Sequence, residues 1–222
     1  MPIHGVIFDM DGVLIDSAAA HLQSWRRLAD EIGRSITDEQ FRASFGRQNF
    51  DIIPAFFGAD LSRERVVELG ERKEAVYRDI VRGRVPAMPG AAELVRACRD
   101  DGLRLAVGSS GHPLNIHLAL EEMGILECFD VLISGADVAR GKPDPQVFLL
   151  AADGLQLPAP DCVVIEDAPS GVAAARAASM YVVAVTSTHP PKAFPDADLV
   201  VATIGDLTPR RLRRLGRDYS PL

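Results

Sequence analysis

The amino-acid sequence predicts an α/β protein: a Rossmann-like, doubly wound parallel sheet that carries an inserted α-helical domain. Three observations predict it. Short apolar runs alternate with helix-length amphipathic segments, which implies right-handed crossovers and a sheet covered on both faces. Residues 17–86 interrupt that alternation once, with helical periodicity and no convincing strand. Finally, several of the apolar runs end directly in acidic or glycine-containing turns, at the edge where open parallel sheets bind ligands.

Taken in order, residues 3–8 read as a buried strand that stops at Asp9, Asp11 and Gly12. Residues 17–33 read as a helix with Leu22, Trp25, Leu28, Ala29 and Ile32 on one face. Residues 38–45 form a second helix, capped by Thr37 or Asp38. Residues 62–81 form a longer one, with Val66, Leu69, Lys73, Val76 and Ile80 at helical spacing. The Pro- and Gly-containing segment 86–90 ends this section. The alternation then resumes with helices at 91–100, 113–123, 145–155, 171–178 and 209–215. Strands fall at 103–107, 131–133, 162–165, 181–185 and 199–201. The implied division is a sheet-bearing core of residues 1–16 and 87–222 and a helical domain of residues 17–86, with hinges near Asp16 and 85–89. No internal repeat or low-complexity stretch is present.

Composition excludes several classes. With 222 residues, 47% hydrophobic and 25% charged, the chain has the balance of a soluble globular protein able to bury a full core. A net charge of −7 argues against general nucleic-acid binding and against an anionic membrane surface. It leaves room for an anionic substrate, because a bound metal or a lysine can override the global field locally. The first apolar run has no basic region before it and is broken by Asp9, so it does not read as a signal peptide, and no stretch is long enough to span a bilayer. The three cysteines, Cys98, Cys128 and Cys162, are far apart, and the expectation is buried, reduced thiols in a cytoplasmic protein. The arginines 210, 211, 213, 214 and 217 read as a solvated helix end rather than a nucleic-acid patch. Oligomeric state has no readable signature.

The chemistry lies at the strand ends. Asp9 and Asp11, two like charges one residue apart at the end of a buried strand, are costly unless a cation or a reaction uses them. The strand at 103–107 is followed by Ser109 and Ser110, and the strand at 162–165 by Glu166 and Asp167. The turn before residue 145 carries Lys142 in Gly-Lys-Pro-Asp-Pro. Each group alone has an ordinary reading as a turn, a loop, a solvated lysine or a helix cap. The Asp-x-Asp-Gly glycine comes too early for a calcium-binding EF-hand loop. Together they form a set. Carboxylate oxygens without sulfur or imidazole suit Mg²⁺. Ser109 and neighbouring N–H groups can hold phosphate oxygens, and Lys142 can neutralise a transferring phosphoryl group. Asp9 can stay ionised and attack phosphorus, while Asp11, crowded by negative charge, suits proton transfer.

These residues resemble the four motifs of the haloacid dehalogenase superfamily, in its branch of phosphatases and phosphomutases with a small helical cap. The resemblance covers essentially the whole chain. Asp9-Met10-Asp11-Gly12 is similar to the first motif, Ser109 to the second, Lys142 to the third and Glu166-Asp167 to the fourth. The resemblance implies Asp9 as nucleophile and Asp11 as general acid and base. It also implies Mg²⁺ held by Asp9, Asp167, the backbone carbonyl of Asp11 and often Glu166.

Residues 16–25 are similar to the cap entrance of the β-phosphoglucomutases, where the residue matching His21 couples the catalytic acid to cap closure. Lys73 matches a substrate-contacting lysine of that cap. The departure is Asn49, where the mutases carry an arginine that grips the non-transferring phosphate; here Arg47 stands two positions earlier. The expectation is therefore a phosphatase of a small phosphorylated metabolite such as a sugar phosphate, with the phosphomutase as alternative and a non-catalytic binding protein as a remote one. A dehalogenase would need neither Asp11 nor the Glu166-Asp167 pair, and a phosphonate hydrolase usually lacks the second aspartate. His112 and His117 have no partner at metal-ligand spacing and read as surface or packing residues.

Overall fold

The computed structural model describes residues 3–44 and 47–215. Phe45, at the end of the second expected helix, Gly46 in the loop before Asn49, and Arg217 of the arginine cluster lie outside the described residues. The chain separates into two compact units, Met1–Asp16 with Ala87–Leu222, and Ser17–Pro86.

The elements of the chain run β1 (Gly5–Phe8), α1 (Ala18–Glu31), α2 (Asp38–Ser44), α3 (Asn49–Phe57), α4 (Arg63–Val81), α5 (Ala91–Asp100), β2 (Arg104–Gly108), α6 (Pro113–Glu122), β3 (Val131–Ile133), α7 (Gln146–Gly154), β4 (Cys162–Glu166), α8 (Pro169–Ala177), β5 (Tyr181–Val185), β6 (Leu199–Val201) and α9 (Pro209–Leu215). The first unit is built on a six-stranded sheet in the order β3-β2-β1-β4-β5-β6. Every pairing is parallel. Strand β1 is central, between β2 and β4, so the chain order reverses there and leaves a crevice at the carboxyl ends.

Register explains the burial. Ile7 lies level with Ala106 on one side and Val164 on the other, and Val164 with Val182. These residues point to one face and pack with Phe148 and Ala151 of α7 and Val172 and Ala175 of α8 in one apolar cluster. Their neighbours Val6, Leu105, Val163 and Val183 alternate to the opposite face and are equally buried. A sheet covered on both faces needs strands apolar on both faces, which is why they read as continuous β-branched runs.

In the second unit, Trp25, Leu28, Phe41, Ile52, Ile53, Phe57, Val66 and Leu69 share a separate core. Thr37 is the cap of α2: its hydroxyl accepts from the Gln40 N–H while the Gln40 side chain accepts from the Thr37 N–H. Sequence periodicity did not anticipate α3. Its segment contains Pro54 and the aromatics Phe50, Phe56 and Phe57, all poor helix formers. Ile52, Ile53 and Phe57 bury their side chains in the unit's core, and that packing outweighs propensity.

Cys98 and Cys162 are buried and Cys128 is only partly so, with all three free. Burial pushes the Cys98 and Cys162 thiols up to about 12, which makes them inert. Arg213 is not simply solvated: it donates to the Asp101 carboxylate, the Asp101 carbonyl and the Ile3 carbonyl, tying α9 to the end of α5. His112 caps α6, its Nδ1 accepting from the Leu114 N–H. Among the described residues no helix is long and apolar enough to cross a membrane.

Candidate active site

The sheet edge gathers residues that lie far apart in sequence. Asp9 follows β1, and its N–H donates to Ile165 O of β4 at 3.0 Å, so it is fixed by the sheet itself. Glu166 is the last residue of β4, and Asp167 follows it. Ser109 follows β2; its N–H donates to Ile133 O and its hydroxyl accepts from the Gly111 N–H, both at 3.0 Å. Lys142 comes from the segment before α7. Its ammonium donates to Asp9 Oδ1 and to Glu166 Oε1, each at 2.7 Å. The second Glu166 oxygen accepts from the Asp167 and Ala168 N–H groups at the start of α8, so this carboxylate is both ion-pair partner and helix-terminus acceptor.

Close packing holds this geometry. A Cβ on Gly171, in the first turn of α8, would sit 1.8 Å from Glu166 Oε1, so only glycine fits at that position. Gly12 has φ +78°, and a Cβ there would lie 2.0 Å from Asp167 Oδ2. A Cβ on Gly111 would stand 3.2 Å from Ser109 Oγ and 3.9 Å from Asp11 Oδ2, so the second aspartate and the serine loop border the same small space. Asp11 itself is partly buried. Ser110 follows Ser109, and its carbonyl packs 2.4 Å from where a Gly135 Cβ would be.

Asp9, Glu166 and Asp167 are all buried, and each offers an oxygen within 4.8 Å of the others. Three carboxylates face a single lysine. Burial, reinforced by Glu166 and Asp11, pushes Asp9 up to about 7 against the opposing pull of Lys142. Burial, then Glu166 and Asp9, push Asp167 up to about 8. Burial alone would lower Lys142, but Asp9 and Glu166 outweigh it and raise its pKa. The excess of buried negative charge, carried on oxygen alone, fits a hard divalent cation such as Mg²⁺.

This electrostatic imbalance sets a pH dependence. In the fold, Asp9 and Asp167 keep protons that the unfolded chain loses near 3.8. Their contribution to stability is complete below that value and vanishes as pH rises through about 7 to 8. The melting temperature of the metal-free protein is therefore expected to fall by several degrees across this interval, and a divalent cation is expected to flatten the fall. Calorimetry in chelator and in Mg²⁺ measures both; a flat profile in chelator would remove this account.

The helical unit holds a second polar cluster. Lys73, on α4, is 2% exposed, buried where a solvated lysine is the ordinary case. Its ammonium pairs with Glu74 at 2.9 Å and donates to His21 Nδ1 at 2.8 Å. An ammonium only donates, so Nδ1 accepts and the His21 proton sits on Nε2. His21 stacks on Tyr77 with centroids 4.1 Å apart. Asn49 Nδ2 donates to the same Glu74 oxygen at 2.8 Å. Burial works against charge on Glu74, but the Lys73 ammonium outweighs it, and with the Asn49 hydrogen bond holds the carboxyl down at about 2. His21, Asn49 and Lys73 are thus brought together, by a glutamate that sequence reasoning did not single out. Arg47 is not among them: it is exposed, in the turn before α3.

Sequence reasoning also missed the loop after β5. Ser187 Oγ donates to Gly12 O at 2.6 Å, and Thr188 Oγ1 lies within hydrogen-bond distance of both Asp167 Oδ2 and Asp167 O. The strand-end rule that singled out the turns after β1, β2 and β4 applies equally to β5, and there it would have reached Thr186-Ser187-Thr188-His189.

A doubly wound sheet with acidic groups and a lysine converging at its switch point is a ligand-binding α/β architecture, and comparisons with known proteins specify it further. A family model for haloacid dehalogenase-like hydrolases matches residues 3–179. Beta-phosphoglucomutase of Bacillus subtilis is 30% identical over 221 residues, covering 96% of this chain and 96% of that protein. Validoxylamine A 7'-phosphate phosphatase of Streptomyces hygroscopicus subsp. limoneus is 33% identical over 216 residues, covering 95% and 97%. The crystal structure of beta-phosphoglucomutase from Clostridium difficile matches with a TM-score of 0.86 at 26% identity, over 98% of both chains. The chain belongs to the haloacid dehalogenase-like hydrolases and is an enzyme of that family. A mutase and a phosphatase are similar to it at comparable identity, so overall likeness does not choose between their reactions.

Proposed function

We propose that the chain is a Mg²⁺-dependent phosphatase of a small phosphorylated metabolite, a sugar phosphate being the leading candidate class. The observation that carries this reading is the single buried lysine bridging Asp9 and Glu166 beside Asp167, at the sheet's switch point. Asp9 attacks phosphorus, the ester P–O bond breaks, and Asp11 gives its proton to the departing alkoxide. Asp11 then takes a proton from water as that water attacks the aspartyl phosphate, releasing inorganic phosphate and restoring Asp9. Ser109, Ser110 and nearby N–H groups hold phosphoryl oxygens, and Lys142 offsets their charge. Mg²⁺, for which Asp9, Asp167, the Asp11 carbonyl and Glu166 are the candidate ligands, would supply further neutralisation of phosphoryl charge.

The helical unit is proposed as a cap that reads the organic part of the substrate through His21, Asn49 and Lys73, with Arg47 a further candidate. Phosphatase is favoured over mutase by the state of those residues. A mutase turns a bisphosphate around and needs strong positive charge for the second phosphate. Here Asn49 stands in place of the arginine, and both Asn49 and Lys73 are engaged by Glu74, which neutralises the lysine.

Incubation with β-glucose 1-phosphate, Mg²⁺ and a trace of the 1,6-bisphosphate separates the reactions, alongside a panel of other phosphorylated sugars and polyols. Stoichiometric phosphate release is expected from at least one member of the panel. Rapid glucose 6-phosphate formation without phosphate release would overturn the hydrolase reading and establish the mutase.

A further inference from the structure

Thr188 is exposed on the loop after β5, yet its hydroxyl is turned onto a buried carboxylate of the candidate metal cluster. The Asp167 side chain is confined from two sides. Gly12 leaves no room for a Cβ beside Oδ2, and Thr188 Oγ1 meets the same oxygen. The loop is anchored in turn. Ser187 Oγ donates to Gly12 O, and His189 Nδ1 lies 2.9 Å from Thr188 Oγ1 and 3.2 Å from Asp167 O. A hydroxyl carries one proton, and once a bound cation keeps Asp167 ionised its carboxylate is the strongest nearby acceptor. The neighbouring Ser187 links the β5 loop to the β1 loop, so one short segment sets the orientation of Asp167 relative to the strand that carries Asp9.

We propose that Thr188 is a positioning residue for metal binding: its hydroxyl fixes the rotamer of Asp167 so that the other carboxylate oxygen is presented to the divalent cation. The inference rests on the reading of Asp9, Glu166 and Asp167 as a Mg²⁺ site. A flexible carboxylate would have to be ordered by the cation itself, which weakens binding. The hydroxyl also adds a donor to a cluster with too much negative charge.

The test is Mg²⁺ titration of the metal-free full-length protein by isothermal calorimetry, for the wild type, Thr188→Val and Thr188→Ser. Valine keeps the shape and loses the hydroxyl; serine keeps the hydroxyl. Mg²⁺ affinity is expected to fall by about 10- to 100-fold in Thr188→Val and to return close to wild type in Thr188→Ser. In steady-state assays the valine variant is expected to need correspondingly more Mg²⁺ for half-activation, with the deficit offset at high Mg²⁺. A merely structural lesion would lower turnover at every Mg²⁺ concentration. Wild-type affinity in Thr188→Val would overturn the positioning role and leave the metal site standing. Absence of Mg²⁺ binding by the wild type would overturn both. Thr188→Ala gives the same comparison if valine disturbs the loop.

Discussion

Asp9→Ala is expected to lower turnover by about 10⁴-fold or more while leaving the fold intact. The loss follows from the position of the carboxylate. Asp9 is the first residue beyond the central strand, its N–H is fixed to β4, and its side chain is held by Lys142. No other described carboxylate shares both constraints. Asp11 sits in the loop beside the serine turn, and Glu166 has both oxygens engaged, one by Lys142 and the other by two N–H groups. If Asp9 forms the covalent intermediate, nothing nearby can replace it. Stability is expected to move the other way. Asp9, Glu166 and Asp167 crowd around one lysine, and removing Asp9 relieves repulsion that raises Asp167. In chelator the variant is expected to melt at or above the wild-type temperature. Phosphate release under saturating Mg²⁺, measured beside a thermal melt, checks both halves. Substantial Mg²⁺-dependent activity in a well-folded Asp9→Ala protein would remove Asp9 from the role of nucleophile.

How much of this was legible in the sequence depended on whether the signal was local. The core strands were readable because a doubly covered parallel sheet demands uninterrupted apolar residues, and runs such as Cys162-Val163-Val164-Ile165 have few other uses. The strand-end residues were readable because topology alone places them on one edge, whatever their separation in sequence. Lys142 and Asp9 are 133 residues apart and meet at 2.7 Å. The illegible parts depended on tertiary packing. Helix α3 forms despite Pro54 because its apolar face is buried. Glu74 stands next to Lys73, a pair of charges that reads as a solvated helix surface; its burial arises only when Asn49, from α3, and His21, from α1, close over it. Thr188 carried a weak signal, a hydroxyl in a turn, and acquires meaning only from the carboxylate it faces. Arg47, named from its charge and its place near the expected position, is exposed in the turn before α3, a setting that sequence alone did not specify.

Lys142→Met is expected to lose less turnover than Asp9→Ala and, unlike it, to destabilise the protein, and the contrast between the two variants isolates the charge balance of the site. Lys142 is the one cation paired with this cluster among the described residues, its side chain 7% exposed, with the Phe148 ring 4.7 Å from the ammonium. Methionine preserves the length of the stem and its contact with Phe148 but leaves Asp9, Glu166 and Asp167 within 4.8 Å of one another without a counter-charge. Breaking a buried ion pair from one side costs about 3–5 kcal/mol, because the partner stays buried and uncompensated. Here two partners are stranded, and protonation of the already raised Asp9 and Asp167 is the available relief. The urea midpoint in chelator is therefore expected to fall, and to fall further as pH rises from 6 toward about 8, because folding holds protons on those carboxyls that the unfolded chain has already released. Mg²⁺ is expected to recover part of the lost stability, since a ligand that binds only the folded state stabilises it by mass action. It is not expected to recover turnover. The ammonium contacts the nucleophile directly, and losing such an electrostatic group costs about 10²- to 10³-fold in rate. A Lys142→Met protein with a wild-type urea midpoint in chelator would show that the three carboxylates are not held by this lysine, and with that the electrostatic basis of the site would have to be sought elsewhere.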